Sequence, residues 1–200
     1  MSSACIYLLR HGETDWNRQG LAMGKTDIPL NHQGRRQAEQ AARLLGDAGI
    51  ARIYSSPLAR TRETAEIMAD ILDCPIAFVD ALKQCGWGER EGQRRDQAHW
   101  KQDWHAGRPS IGMEPYVRFA ERVLGAWQWI ARQPSPCLVV GHGAVLGVIE
   151  AHLGMAACDP LHGVPSRLIP PPAGGRPWQR QTLHGPLHED DQAAERSTMT

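Results

Sequence analysis

The sequence lacks most of what marks a membrane, secreted or nucleic-acid-binding chain. No apolar run approaches the ~20 residues of a membrane span. The longest run near the N-terminus is Ala4 to Leu9. It has no basic leader and no cleavage site, so it does not read as a signal peptide. An excess of one charge is missing too: 22 Lys and Arg stand against 22 Asp and Glu. A nucleic-acid binder or an anionic-membrane binder would carry a basic excess, so neither partner is expected. The cysteines (Cys5, Cys74, Cys85, Cys137 and Cys158) are odd in number and contain no Cys-x-x-Cys pair. They argue against a disulfide framework and for a reducing cytoplasm. The 9 histidines show no His-Glu-x-x-His and no zinc-ribbon spacing, so no metal site is expected.

What is present is the mix of an ordinary globular domain, with 42% apolar and 22% charged residues in a chain of 200. A chain of this length buries about 70% of its unfolded surface, so one domain can hold its own core. That domain is expected over residues 1–184, with a polar, frayed tail over 185–200. Strand patterns fall at Ala4–Leu9, Arg52–Ser55, Pro75–Val79 and Cys137–Val140. Two short C-terminal strands are expected at Arg167–Pro172 and Trp178–Leu183. Helical spacing falls at Gln33–Leu45, Arg60–Leu72 and Glu114–Ala131, and from Gly143 through Leu153. Residues 83–112 are irregular and punctuated by Trp87, Trp100 and Trp104. Alternating strands and helices predict an α/β domain, its sheet mostly parallel and covered on both faces.

In such sheets ligands bind beyond the carboxyl ends of the strands. The first strand ends in Arg10-His11-Gly12, and the Cys137 strand ends in Gly141-His142-Gly143. The second strand leads through Ser55-Ser56-Pro57-Leu58-Ala59 to Arg60 at the start of a helix. Two arginines and two histidines at one sheet edge make a cationic pocket. Guanidinium groups match phosphate oxygens in a bidentate fork. The helix N-termini after His142 and near Arg60 add backbone N–H groups that favour an anion. A histidine attacks phosphorus when one ring nitrogen is held by a hydrogen bond and the other is bare.

These residues carry a resemblance. Leu9-Arg10-His11-Gly12-Glu13-Thr14, with Trp16-Asn17, is similar to the signature of the histidine phosphatase superfamily, the phosphoglycerate mutase-like proteins of branch 1. Asp27-Ile28-Pro29-Leu30, Gly34-Arg35-Arg36-Gln37-Ala38 and the stretch from Ser55 to Ala65 continue it. Gly86-Trp87-Gly88-Glu89-Arg90-Glu91-Gly92 and Val139-Val140-Gly141-His142-Gly143 complete it, in the family's order. Beyond about residue 155 the match is loose. The resemblance implies a three-layer α/β/α sandwich and a phosphohistidine on His11. It implies that Arg10, Arg60 and His142 complete the phosphate pocket, with Asn17 and the Gly143 N–H adding hydrogen bonds. It implies no cofactor, and a small phosphorylated metabolite as partner. Gly143, rather than Asp, after the second histidine places the chain in the mutase-like branch, where its length fits the small phosphatases.

Two positions depart from the family's pattern. Gln84 stands where the family's proton-donating Glu is common, and Met23-Gly24 stands where Gln-Gly is common. Both are expected to line the substrate. Expelling an alkoxide without an acid is slower by roughly 10²–10⁴-fold. Glu89 or Glu91 could supply the proton. Alternatively the substrate has an easy leaving group (an acyl phosphate, phosphoramidate or phosphoanhydride), or the protein binds phospholigands and turns over poorly. A phosphoglycerate-type mutase is the nearest enzyme alternative. Trp87, Trp100, Trp104, Arg90, Arg94 and Arg95 are expected to border the opening. Glu114 is expected to begin its helix, held there by the helix dipole.

Overall fold

The computed structural model describes residues 5–95, 100–156, 159–172 and 175–184. Cys158 and the polar stretch from residue 185 lie outside the described residues. The strands are β1 (Ile6–Arg10), β2 (Arg52–Ser55), β3 (Ile76–Phe78), β4 (Cys137–Gly141), β5 (Ser166–Ile169) and β6 (Gln179–Thr182). The helices are α1 (Asp15–Arg18), α2 (His32–Leu44), α3 (Ala59–Leu72), α4 (Trp100–His105), α5 (Tyr116–Ile130) and α6 (Gly143–His152). The sheet order is β3-β2-β4-β1-β5-β6. The first four strands of that order run parallel, and β5 and β6 add an antiparallel edge. The expected three-layer α/β/α architecture is therefore present, with the parallel strands running from the β3 edge to β1 and the antiparallel pair forming the other edge.

Every residue of β1 and of β4 is buried, as central strands with both faces covered must be. Successive side chains go to opposite faces. Ile6 and Leu8 join the core that includes Phe119, Val123, Trp127 and Ile130 of α5 and Val145 and Ile149 of α6. Tyr7 and Leu9 join the other core, with Ala41 and Ala42 of α2 and Ala65 and Met68 of α3. Small residues on α2 let it approach α3 and the sheet closely. Asn31 caps α2 by accepting the Gly34 N–H at 2.8 Å. Leu58 gives α3 no side-chain cap. Asp27, remote in sequence, accepts the Ala59 N–H instead at 2.5 Å. The first N–H of α3 is thus taken by a carboxylate of the protein rather than left for a bound anion.

The segment expected to be irregular contains a 3-10 turn at Gly88–Arg90 and the short helix α4. Its tryptophans are buried and pack against one another. Trp87 meets Trp100 and Trp104 edge to face, with ring centroids 5.0 and 4.9 Å apart. Trp104 stands in the same geometry to Tyr116 and donates its indole N–H to the Glu114 carbonyl at 2.8 Å. Truncating one such buried ring costs about 3–5 kcal/mol. Glu114 also departs from expectation. Pro115 caps α5, which begins at Tyr116. The Glu114 carboxylate instead grips Arg122 in a bidentate pair at 2.7 and 2.8 Å. Arg122 in turn donates to the carbonyls of Ala81, Lys83 and Gln84. The N–H groups of one planar guanidinium therefore fix the loop that carries Gln84.

Candidate functional site

Because β1, β4 and β2 run parallel, their carboxyl ends reach one edge of the sheet. Arg10 ends β1, His142 follows β4, and Ser55-Ser56 leads from β2 to Arg60. A cavity of about 680 Å³ opens above that edge. Arg10 and His11 form part of its floor, and Trp87, Trp100 and Trp104 stand in its wall.

The His11 ring is buried, and its Nδ1–H donates to the Gly12 carbonyl at 2.7 Å. A carbonyl can only accept, so the neutral ring carries its proton on Nδ1 and leaves Nε2 bare. Burial, then the nearby Arg60 charge, holds the imidazole well below its ordinary pKa, so it stays neutral at pH 7. The Gly12 N–H donates to Thr64 Oγ1 at 3.1 Å, which fixes the turn. A Cβ at Gly12 would run into the Gly34 carbonyl, so this turn and the start of α2 require glycine.

Arg10 donates through one terminal nitrogen to Asp159 at 3.0 Å and to the Pro160 carbonyl at 2.9 Å. Its Nε–H is the one buried side-chain polar atom among the described residues with no partner. A buried unpaired donor is costly. Here it belongs to a cavity-lining guanidinium, which suits an anion.

Arg60 and His142 lie one layer below the floor rather than in the cavity lining. The rings of His142 and His11 are 5.3 Å apart. Each Arg60 nitrogen has a protein acceptor: the Gly24 carbonyl at 2.8 Å, the Thr26 carbonyl at 3.1 Å and His142 Nδ1 at 3.3 Å. Arg60 must donate, so His142 accepts on Nδ1 and donates from Nε2 to Ser56 Oγ at 3.0 Å. Burial lowers the Arg60 pKa to about 10, which leaves it charged at neutral pH. A second cation beside it is disfavoured, and His142 is held neutral by burial and by that charge.

Asn17 and Gln84 line the cavity with their amides oriented. Asn17 Oδ1 accepts the Thr14 N–H at 3.1 Å, within the capping box of α1. Gln84 Oε1 accepts the Cys85 N–H at 3.0 Å. In both, the carbonyl oxygen is held by the backbone and the NH₂ remains to donate. Gly143 and Met23 also line the cavity. Gly24 does not; its carbonyl serves Arg60.

Neither candidate acid faces the cavity. Glu89 is exposed in the turn. Glu91 accepts from the N–H groups of Lys25, Thr26 and Trp87 and from the Thr26 hydroxyl. Burial raises its pKa, but these hydrogen bonds outweigh that and hold it below the ordinary range. A carboxylate so used is a clip between loops. Of the arginines expected at the opening, Arg95 lines the cavity, whereas Arg90 donates to Ser110 and Gln93.

Three neighbours escaped the sequence reading. Asp159 pairs with Arg10, Ser56 accepts from His142, and His162 lies with its ring 5.2 Å from that of His11. Its Nδ1–H donates to the His11 carbonyl at 2.9 Å, and burial lowers its pKa to about 4. Only Ser56 had a signal, its place beyond a strand end. Asp159 and His162 reach the site from a loop more than 140 positions away in the chain.

Histidine and arginine at the edge of a parallel sheet, under a cavity, define a phosphoryl-handling α/β protein. Residues 6–163 match the histidine phosphatase superfamily (branch 1), and the chain belongs to that family. It is 35% identical over 148 residues to the uncharacterized phosphatase PhoE of Bacillus subtilis strain 168, covering 73% of this chain and 74% of that protein. It is 36% identical over 167 residues to a probable phosphoglycerate mutase, GpmB, of Salmonella paratyphi A, covering 76% of each. Among solved structures, Bacillus stearothermophilus YhfR matches with a TM-score of 0.74 and 25% identity, over 92% of this chain and 98% of that one. A variant of TTHB049 from Thermus thermophilus matches with a TM-score of 0.73 and 27% identity, over 90% and 99%.

Proposed function

We propose that the protein is a cytoplasmic phosphatase that hydrolyses a small phosphorylated metabolite through a phosphohistidine on His11. The observation that carries this reading is the His11 ring, neutral, with Nδ1 tied to the Gly12 carbonyl and Nε2 bare on the cavity floor. That ring is set for attack by Nε2 on phosphorus, with the Arg10 guanidinium beside it. Arg10 takes the transferring phosphoryl oxygens and the unpaired Nε–H finds its acceptor there. Arg60 and His142 act from beneath, lending positive charge and holding the floor rigid. The NH₂ groups of Asn17 and Gln84 and the N–H of Gly143 offer further donors to phosphoryl oxygens. As the bond to Nε2 forms, the phosphorus–oxygen ester bond breaks and the alcohol leaves; water then cleaves the N–P bond and releases inorganic phosphate. Hydrolysis, rather than return of the phosphoryl group to a second hydroxyl, is favoured by the solvent-facing lip of the cavity, where the Asp159 side chain is 83% exposed.

The test is phosphate release from para-nitrophenyl phosphate by purified protein, with His11→Ala beside it. The substitution is expected to lower turnover by at least about 10³-fold. Equal rates from the two proteins would refute the reading.

A further inference from the structure

Gln84 can donate a hydrogen bond to a leaving oxygen but has no proton to give up. Among the described residues lining the cavity, Asp159 is the one carboxyl. We propose that Asp159 is the catalytic proton donor to the leaving group, and this assignment rests on the phosphatase reading above.

The geometry comes from two contacts. Asp159 Oδ1 lies 3.0 Å from a terminal nitrogen of Arg10, the guanidinium that would hold the phosphoryl group. It also lies 3.7 Å from where a Cβ on Gly143 would stand, at the first residue of α6, and Arg10 Cζ is 3.7 Å from the same point. The carboxyl thus sits over the phosphate end of the cavity, on the rim. In-line displacement places the leaving oxygen on the far side of phosphorus from His11, away from the buried floor, and Asp159 would have to meet it there.

A phosphate ester that takes over Arg10 releases Asp159 from its ion pair. The side chain is 83% exposed, so the proton it passes to the leaving oxygen is supplied by solvent. In the first step the bond from His11 Nε2 to phosphorus forms, the phosphorus–oxygen ester bond breaks, and the leaving oxygen takes the Asp159 proton. In the second step water attacks phosphorus, the bond to Nε2 breaks, and the Asp159 carboxylate takes the proton of the water. Phosphate leaves with enzyme and acid restored.

The experiment compares para-nitrophenyl phosphate, whose phenolate leaves unaided, with phenethyl phosphate, whose alkoxide must be protonated. Wild type, Asp159→Asn, Asp159→Glu and Glu89→Gln are measured on both. Asparagine keeps an acceptor for Arg10, and the site is exposed, so folding is checked by circular dichroism. The expected result is a loss of about 10²–10⁴-fold on the alkyl ester in Asp159→Asn, against less than about tenfold on the aryl ester. Asp159→Glu recovers part of the alkyl rate, and Glu89→Gln leaves the ratio of the two esters at its wild-type value. Equal losses on both esters, no loss on either, a selective loss in Glu89→Gln, or a wild type that cleaves only the aryl ester each overturn the assignment. A wild type that cleaves neither ester would instead bring down the phosphatase reading itself.

Discussion

The cavity floor hangs from the ends of buried strands, whereas the wall facing it hangs from a segment with one six-residue helix. Apart from the Arg10 Nε–H, polar groups of the floor and of the layer beneath it are matched: His11 to Gly12, His142 to Ser56, and Arg60 to two carbonyls, with His142 as its third partner. The wall is held by ring contacts among Trp87, Trp100, Trp104 and Tyr116. Hydrogen-bonded groups tolerate little change in position, while packed rings accept some substitution if volume is kept. A group that must meet phosphorus in line belongs on the first kind of structure. The part that meets the remainder of the substrate can stand on the second.

Beneath the nucleophile the largest blow is Arg60→Lys. An ammonium is a point charge and cannot span the Gly24 and Thr26 carbonyls and His142 at once. Turnover of para-nitrophenyl phosphate should fall by roughly 10²–10³-fold, measured by phosphate release, because the layer under His11 loosens. A loss of less than about threefold would mean that Arg60 acts only as a distant charge.

Next comes the clip between floor and wall. Glu91→Gln leaves one oxygen where two now accept from three N–H groups and a hydroxyl, and it turns an NH₂ toward those donors. We expect a stability loss of about 2–4 kcal/mol by urea unfolding, from broken bonds to a charged acceptor. The ratio of alkyl to aryl rates should stay at its wild-type value, since Glu91 faces no substrate.

The floor also dictates a pH response stronger than the wall's, where His105 is lowered less far, by burial and by Lys101. His11, His142 and His162 all have folded pKa values below the unfolded value of 6.5. Below pH 6.5 the unfolded chain takes up these protons while the folded chain does not. Stability is therefore full above that pH and falls as the pH drops toward the folded values, about 4 for His162. His162→Asn keeps a donor and removes one titrating group. The slope of stability between about pH 6 and 5 should become shallower by at most about 1.4 kcal/mol per pH unit. An unchanged slope would place the acid sensitivity elsewhere. The carboxylates of Glu91 and Glu114, held below the ordinary carboxylate range by their hydrogen bonds, add a further loss on the acid side.

The smallest effect is expected on the wall. Lys101 lines the cavity with its ammonium 5.6 Å from the Trp100 ring centre. Lys101→Met should raise KM by about three- to tenfold for a phosphate ester with a second anionic group and leave kcat unchanged. A drop in kcat of the same size would move Lys101 from the wall to the floor.

The same contrast explains what could be read from the chain. Arg10-His11-Gly12 and Gly141-His142-Gly143 were legible because each is contiguous and follows an apolar run. The helices α2, α3 and α5 were legible because one face of each repeats with helical period. The helix α1 was hidden in a polar loop, since its four residues bury nothing and its only signal is the Thr14–Asn17 capping box. The helix α4 was hidden because Trp100 and Trp104 span a single turn, too short for a period to show. Two partners of the floor could not be read at all. Asp159 and His162 owe their positions to the isolated parallel bridge between Arg10 and His162, a pairing across the whole chain that no local spacing announces. Nearness in sequence suggests an acid role for Glu89 and Glu91, but nearness says nothing of Glu91 being spent on three backbone N–H groups.

The Glu91 clip bears on how this protein could be re-tooled. Thr26 gives its N–H to Glu91 and its carbonyl to Arg60, so a single residue fastens the wall segment to the layer under the nucleophile. Libraries aimed at a new substrate can randomise Lys101, His105 and Ala151, which line the cavity, while Glu91, Thr26, Glu114 and Arg122 are kept. A library that varies Glu91 together with the wall would confuse lost recognition with a displaced Arg60, and its survivors would be selected for repair before they could be selected for specificity.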